Sequence, residues 1–475
     1  MLGCGVERAF AGLWARYRKA DPDTVTLMQI EGWALAKGLA VTNIERRKVG
    51  AFQPLECIVI STEQGKACLP IETTATRLYW EQRNEAYEKV AAIWKKLEWF
   101  SPLWVSRNNI NKILFDAEHL DPIRAIQAFD YHTSTIYTPS FEAVCIEQIM
   151  ASAECLADIR PLAREAFLAF YAGYKAASIA SLIPAIEGAI SKILPDETHG
   201  LATMERVNRA VAGAISYAAN IHYDGMWIPA NYKDPAYLFC MDERVFAFET
   251  FRRWLQDSFY KNTAEYAGAT NLNRHLFAHG ISADWQKASL SRLIVALATV
   301  GVIESWYRWD SSKTLFFPDI SEDSKLLLEQ AILHGSAQMV IKHLEEANYH
   351  QHGRSVPLMP TDDGATLRRA LLMEDCIKDL VRPMREAGWN VEFEDDSSDI
   401  FLKVLGKHSE QEIKVALLYN CGTDNSIYKE LEQDCNVILY RGGPYHQEEF
   451  ARGINVYVGP VTGWQPPVCR KQFGE

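Results

Sequence analysis

The sequence has no long hydrophobic run and no closely spaced cysteines. Its longest continuous apolar stretch, residues 293–303, has eleven residues, whereas a membrane-spanning helix needs roughly 20. The ten cysteines are scattered singly, without the spacing of a zinc knuckle or a redox pair, so we expect buried free thiols and no bound metal or cofactor. The first residues lack a basic segment followed by an apolar stretch, and we therefore expect a cytoplasmic protein with no membrane partner.

Acidic residues also outnumber basic ones, 61 to 49, which gives a formal net charge of −12. Proteins that hold nucleic acid mainly by counterion release usually carry the opposite sign. Any site for nucleic acid in this chain must therefore be small and local. The sequence also contains no Walker-type phosphate loop, no paired-histidine zinc helix and no nucleophile elbow, which excludes the enzyme classes that depend on those motifs.

Four segments differ in their hydrophobic patterning, and together they predict a mainly α protein. Residues 1–150 mix helices with a strand hairpin at 55–60 and 66–72, and predict an α+β domain for sensing or docking. Residues 151–310 have nearly continuous helical periodicity. Residues 311–365 are expected to form one helix, near 324–347, and a linker. Residues 366–475 alternate helix and strand and predict a small α/β domain.

The central segment 151–310 contains four amphipathic helices. The first has an apolar stripe at every third or fourth position, formed by Ala172, Ala176, Ile179, Ile183, Ile186, Ile190 and Ile193. Similar stripes predict helices at 201–218 and 245–259, and a fourth from about Asp284, a plausible cap, to residue 303. Four helices of this length predict one up-and-down bundle.

A short polar segment between the third and fourth helices contains residue types suited to cleaving RNA without a metal. Arg274 and His279 are separated by four residues, and Gly280 follows directly. Attack of a ribose 2′-hydroxyl on its neighbouring phosphate requires a base, and histidine titrates near neutral pH. It also requires a cation for the phosphorane, and arginine can grip two phosphate oxygens at once.

The spacing of Arg274 and His279 determines how the two side chains can meet. Positions five apart on a regular helix lie roughly 140° apart around its axis, so the two groups do not fully converge within one subunit. Either Gly280 ends the helix and splays His279 outward, or a twofold axis brings two copies of the segment together. We favour the composite site.

This segment resembles the signature of the HEPN ribonucleases of prokaryotic toxin–antitoxin, abortive-infection and other phage-defence systems. That signature is an arginine, a polar residue, three further residues and a histidine near the start of the last helix of a helical bundle. Here it corresponds to Arg274, His275, residues 276–278 and His279, with Gly280 following. The first long helix, at residues 181–190, also looks like its counterpart in several such proteins.

The resemblance implies a function for the chain. It predicts a dimeric, metal-independent endoribonuclease that leaves a 2′,3′-cyclic phosphate and a 5′-hydroxyl, and that acts as a toxin or antiviral defence effector. Arg274 would stabilise the phosphate and His279 would act as general base or acid. The expected partners are RNA, a second copy of the chain and a regulatory protein or phage-derived trigger, with the flanking domains sensing that trigger.

Three neighbouring residues are candidates for a supporting role. Asn273 and His275 flank Arg274 and are suited to orienting a phosphate. Glu187, on the first long helix, is a candidate for the acid that orients Arg274 or His279. Each also has a simpler interpretation, as a polar loop residue in the first two cases and as a solvated carboxylate in the third.

Two other functions remain open from the sequence. One is a non-catalytic scaffold that retains the bundle for dimerisation. The other is a Mg²⁺-dependent nuclease in the C-terminal domain, where Asp399 precedes one strand and Glu412 and Lys414 open the next. That order resembles restriction-endonuclease-like sites, in which carboxylates hold Mg²⁺ and a lysine positions water. The same acids are equally consistent with a solvated loop.

Overall fold

The structure is a computed structural model that describes most of the chain. The described residues are 4–21, 24–195, 198, 200–280, 283–354, 356–357, 359–360, 364–394, 398, 400–419, 425–441 and 450–469. They are mainly helical, with two separate β-sheets. Contacts divide the chain into two compact units. The first unit comprises residues 1–170 and 175–330, and the second comprises residues 171–174 and 331–475.

The first unit begins with two helices, a three-stranded antiparallel sheet and four further helices. In chain order these are α1 (Cys4–Tyr17), α2 (Leu27–Leu35), β1 (Val41–Val49), β2 (Leu55–Thr62), β3 (Gly65–Pro70), α3 (Thr74–Lys96), α4 (Arg107–His119), α5 (Pro122–Thr133) and α6 (Pro139–Val144). The predicted hairpin is confirmed as β2 and β3, with Val59 opposite Cys68. Strand β1 adds to the free edge of β2.

The remaining helices of the first unit include the four that the sequence predicts. In chain order they are α7 (Ile159–Tyr171), α8 (Lys175–Ile193), α9 (Thr203–His222), α10 (Ala230–Lys233), α11 (Pro235–Leu238), α12 (Glu243–Trp254), α13 (Arg274–His279) and α14 (Leu290–Tyr307). Helices α8, α9, α12 and α14 are the predicted set. The fourth begins later than expected, because Ser289 caps it and Asp284 opens a separate 3₁₀ turn.

Helix α14 is the centre of the first unit. Sixteen of its eighteen residues are buried, so it is enclosed by other elements rather than forming one wall of a bundle. It packs against α8 and α9 on one side and against α6 and the π-helical turn Cys145–Ile149 on another. Residues before 150 thus cover part of this helix. The boundaries predicted at 150 and 310 both lie inside the first compact unit. Helices α8 and α14 are also long and apolar enough to cross a membrane by composition, but 89% of the residues of α14 are buried in the fold.

The second unit is an α/β domain, as the sequence predicts for its C-terminal part. It contains most of α15 (Glu322–Gln351), followed in chain order by α16 (Gly364–Cys376), α17 (Arg382–Glu386), β4 (Asn390–Phe393), β5 (Phe401–His408), β6 (Gln411–Leu418), α18 (Asn425–Glu432), β7 (Val437–Tyr440) and β8 (Tyr457–Pro460). The strands lie in the order β4-β5-β6-β7-β8, antiparallel up to β6 and parallel beyond it. Apolar side chains pack on both faces of this sheet. The predicted boundary at 365 lies within this unit.

Candidate functional site around helix α13

The short helix α13 is held in place by the residue that precedes it. The side-chain oxygen of Asn273, Oδ1, accepts hydrogen bonds from the backbone N–H groups of His275 and Leu276, at 2.9 and 3.1 Å. Its side-chain nitrogen donates to the carbonyl oxygens of Ser258 and Lys261, at 2.7 and 2.9 Å. This fully buried amide therefore caps the helix. Both of its donors are used, so the expectation that Asn273 contacts a phosphate is not supported.

The other end of α13 is fixed by glycine, as the sequence predicts. Gly280 follows His279 and has a φ of +56°, in the left-handed region that favours glycine because it has no Cβ. Its backbone N–H donates to the Phe277 carbonyl oxygen, at 3.3 Å. His279 is consequently the last helical residue, and its side chain is exposed.

The imidazole of His279 lies beside a second imidazole. The rings of His275 and His279 are stacked, with centroids 5.7 Å apart and planes inclined by 5°. They lie four positions apart along the chain, which places both on one face of the helix. Arg274 precedes His275 by one residue and projects in another direction. Within one subunit, the structure therefore pairs His279 with His275.

Arg274 contacts the first helix of the predicted set. Its Nε donates to Glu187 Oε2 on α8, at 3.2 Å. The side chain of Arg274 is 35% exposed and that of Glu187 is 23% exposed. Among the described residues, no atom accepts a hydrogen bond from either terminal nitrogen of Arg274. The carboxylate thus holds one edge of the guanidinium and leaves its outer edge available.

A second arginine, which the sequence did not identify, shares the same carboxylate. Arg206 on α9 places Nη2 3.6 Å from Glu187 Oε1, and that oxygen also accepts from the Thr203 hydroxyl at 2.9 Å. Arg206 Nη1 donates to the Ser191 hydroxyl at 2.5 Å, and its Nε is buried with no partner among the described residues. Two guanidinium groups around one carboxylate give the cluster a net positive charge.

The hydroxyl of Tyr260 completes this cluster, which we call the α13 cluster: Glu187, Arg206, Tyr260, Arg274, His275 and His279. The Tyr260 hydroxyl is buried and has no hydrogen-bond partner among the described residues. Burial raises the pKa of Tyr260, the Glu187 carboxylate raises it further, and the two guanidinium groups oppose both effects. The phenol therefore stays protonated and retains a hydrogen for an acceptor.

No protein-family model, curated protein or solved structure matches this chain. The resemblance to the HEPN ribonucleases stays a prediction from the sequence segment around Arg274 and His279. The chemistry of the α13 cluster is accordingly the basis for a functional proposal.

The alternative site in the second unit has a different geometry. The Lys414 ammonium lies 2.7 Å from Glu394 Oε1 and 2.6 Å from Asp434 Oδ1. Hydrogen bonds to these two carboxylates raise the pKa of Lys414. Glu412 lies opposite Lys407 near the β5–β6 turn. The lysine is thus held in a surface ion-pair network.

The strand register separates the two ends of this alternative site. The first residue of β5, Phe401, lies opposite Leu418, about 14 Å along β6 from Lys414 at 3.4 Å per residue. Asp399, the third residue of that hypothesis, lies outside the described residues. Among the residues that are described, no group of three or more histidine, cysteine, aspartate or glutamate side chains is arranged to hold a metal ion.

Proposed function

We propose that this chain is a metal-independent endoribonuclease that cleaves RNA at the α13 cluster by attack of the ribose 2′-hydroxyl. The oxygen–phosphorus bond to the 2′-oxygen forms as the bond to the 5′-oxygen breaks, leaving a 2′,3′-cyclic phosphate and a 5′-hydroxyl. Its use as a regulated toxin or anti-phage effector follows from the resemblance of the motif.

The two imidazoles are suited to the proton transfers. In this proposal His279, which is exposed, takes the proton from the 2′-hydroxyl. The leaving 5′-oxygen needs a proton in return, and the imidazole of His275, stacked on His279, is the neighbouring group suited to donate it. Together the pair supplies one base and one acid without a metal ion.

The guanidinium groups are suited to the charge on the phosphorane. The observation that carries the proposal is the arrangement of Arg274, whose Nε is fixed by Glu187 while its terminal nitrogens have no described partner. A guanidinium held in this way presents two parallel donors to two phosphate oxygens. Arg206 adds positive charge to the site, and the protonated Tyr260 hydroxyl adds a further hydrogen-bond donor.

One subunit places its imidazole pair and Arg274 on different faces of α13, so the composite site remains our preferred arrangement. In that arrangement the histidines of one copy act on a phosphate held by Arg274 of the other. The alternative is that the RNA chain bends around one α13 helix, so that a single subunit supplies both the histidines and Arg274. Mixing inactive Arg274→Ala and His279→Ala chains separates the two arrangements, since only a composite site regains one intact centre.

The test of the function is cleavage of end-labelled single-stranded RNA by the purified full chain. We expect His279→Ala to lower the cleavage rate by about 10²–10⁴-fold, and Arg274→Ala by about 10²–10³-fold. EDTA should change nothing, and the 3′ ends should carry cyclic phosphate. Matched controls are His119→Ala, an exposed histidine in the last turn of α4, and Arg209→Ala, an exposed arginine on α9 paired with Glu205.

Three outcomes would contradict the proposal. RNA left intact by the wild-type chain, together with equal growth and intact RNA in bacteria that express wild type or His279→Ala under triggered conditions, favours the scaffold. Cleavage that EDTA abolishes and Lys414→Ala removes favours the C-terminal Mg²⁺ nuclease. Cleavage that falls equally in His119→Ala and His279→Ala shows that the α13 cluster has no special part in it.

A further inference from the structure

Within the second unit, helix α15 buries polar side chains and exposes large apolar ones. Its inward side carries Lys342, Glu346 and His350, all buried. Its outward side carries six large aliphatic side chains, each more than half exposed: Ile332, Leu333, Met339, Val340, Ile341 and Leu344. Helices on the surface of a folded domain ordinarily have the opposite arrangement, with the apolar stripe inward.

The polar side of α15 is committed to partners of its own unit. The Glu346 carboxylate forms an ion pair with Arg368 at 3.1 Å, and the Tyr419 hydroxyl donates to the Glu346 carbonyl oxygen at 2.6 Å. His350 Nε2 lies 2.5 Å from Asp375 Oδ2. Rotating the helix to bury its aliphatic side would break these buried contacts, so its orientation is fixed.

Close packing holds the middle of the helix in the same orientation. A Cβ added to Gly173 would lie 2.4 Å from the side-chain nitrogen of Gln338, so the segment 171–174 lies close against this part of the helix. Gly173 also has a φ of +89°. The aliphatic side of α15 therefore stays outward along its length in the second unit.

The outward stripe has the spacing of a helix–helix seam. At about 100° per residue, Leu333, Ala337, Val340 and Leu344 lie within roughly 60° of one another, and Lys342 lies on the opposite side. Their separations of four, three and four residues are those of alternating core positions in a heptad. The larger leucines lie at the two ends of the stripe, and the smaller alanine and valine lie in the middle. The order of side-chain sizes is therefore similar in both directions along the helix.

We propose that this face is a homodimer interface in which α15 pairs with α15 of a second copy, antiparallel across a twofold axis. Leu333 then packs against Leu344 of the partner subunit, and Ala337 against Val340 of the partner subunit. A twofold interface requires such a self-complementary surface. The axis passes between residues 338 and 339.

The exposed area and the flanking residues favour a second copy over a lipid surface. At roughly 100 Å² per side chain, the six aliphatic residues expose on the order of 600 Å² per copy, which is the lower end of one partner's share in a standard interface. All residues from 332 to 348 are described, and the exposed ones among them include no lysine or arginine. Helices that lie on membranes usually carry those residues on their polar side.

The mass of the full chain in solution tests the interface. Light scattering after gel filtration at about 10 µM should give a dimer of the 53.8 kDa chain. Leu344→Glu and Val340→Glu should each raise the dimer Kd by at least about 100-fold, because the twofold places two unpaired carboxylates in the seam. Leu78→Glu, at an exposed leucine on α3, should leave the dimer intact. All variants should keep the far-UV circular dichroism spectrum of the wild type, since every altered side chain is exposed.

Cysteine cross-linking tests the direction of the pairing. Under a mild thiol oxidant, the double variant Ala337→Cys with Val340→Cys should link residue 337 of one copy to residue 340 of the other. Asn348→Cys should not cross-link, because antiparallel helices place the two copies of residue 348 roughly 28 Å apart along the axis at 1.5 Å per residue.

Other results would overturn the proposal in part or in whole. A monomer at 100 µM removes the interface, as would a lipid-bound monomer that anionic vesicles recruit. A dimer that Leu344→Glu leaves unchanged places the interface elsewhere. Efficient cross-linking of Asn348→Cys shows that the helices pair in parallel. Mass and cross-links are measured without RNA, so they are separate from the cleavage assay. A monomer would exclude the composite α13 site but not cleavage by a single subunit.

Discussion

The buried carboxyl group of Glu142 should make the stability of the first unit depend on pH. Glu142 lies on α6 beneath the start of α14, where its Oε1 accepts a hydrogen bond from the Ser291 hydroxyl. Its Oε2 is buried with no partner among the described residues. Burial raises the pKa of Glu142 from 4.5 to about 7, against the opposing effect of the hydrogen bond from Ser291. The folded chain therefore binds a proton that the unfolded chain releases.

The sign and size of the effect follow from this difference. Between pH 4.5 and pH 7 the folded state binds more protons at Glu142 than the unfolded state does, so the free energy of unfolding falls as pH rises. The stabilisation is fully present below pH 4.5 and is lost by pH 7. A pKa difference of that size corresponds to about 3 kcal/mol, of which about 2.5 kcal/mol falls between pH 5 and pH 8.

Glu142→Gln removes the titration while keeping an acceptor for Ser291. Urea unfolding of wild type and variant at pH 5 and pH 8 should show that the variant gains about 2.5 kcal/mol relative to wild type over that interval. Any constant packing difference cancels between the two pH values. Glu165→Gln, at an exposed position on α7, should gain less than about 0.5 kcal/mol. An equal difference at both pH values for Glu142→Gln would refute the reasoning.

Two further substitutions test buried polar groups of the first unit. Asp242→Asn should lower the free energy of unfolding at pH 7 by about 3–5 kcal/mol, because Arg244 and His222 lose their buried partner. Burial raises the pKa of Asp242, but the hydrogen bonds from Arg244 and His222 outweigh it and lower the pKa to about 2. The wild-type advantage should therefore shrink as pH falls from 3.8 towards 2 in urea titrations, and a penalty independent of pH would contradict this assignment. Asn273→Ala should cost about 2–3 kcal/mol through the lost cap and the two lost carbonyl contacts, a loss that thermal unfolding would detect and that His279→Ala should not reproduce.

The elements that sequence patterning predicts well are those whose pattern is local. The strands of the second unit alternate or run apolar between turn residues, and the prediction that residues 366–475 alternate helix and strand is confirmed. Strand β1 was missed because its residues, including Arg46, Arg47 and Lys48, are mostly exposed. It forms by pairing with β2, and the residues of a single strand do not indicate which strand it will pair with.

For a related reason, the sequence could not show that residues before 150 pack with the central helices. The apolar run 293–303 indicates a buried helix, but not which elements bury it. Helices that are apolar all round need cover on every side, and α8, α9 and α12 are too few to provide it. Residues 139–149 supply part of that cover, which joins the N-terminal segment to the helical set.

The α13 cluster was partly predictable. Arg274, His279 and Gly280 are neighbours in sequence, so their proximity was expected, but the separate short helix that carries Arg274 and His279 was not. Glu187 stands next to the buried stripe of α8, where a carboxylate requires a cation. That requirement does not say which cation, and Arg206 reaches it only because α8 and α9 pack together. Tyr260 left no signal in the sequence, since a tyrosine at the end of an aromatic-rich helix is usually a packing residue.

The charge of the α13 cluster sets a limit on how RNA can bind. Glu187 cancels one of its two guanidinium groups, so the cluster contributes about one net positive charge within a chain of net charge −12. Contact with one or two phosphates of single-stranded RNA predicts a slope of log K against log salt of about −0.7 to −1.4. Fluorescence anisotropy of labelled RNA with the His279→Ala chain, at about 50–300 mM KCl, measures that slope. Since the cluster can neutralise no more phosphates than this, a slope steeper than about −4 would show that RNA is held mainly by a basic surface elsewhere.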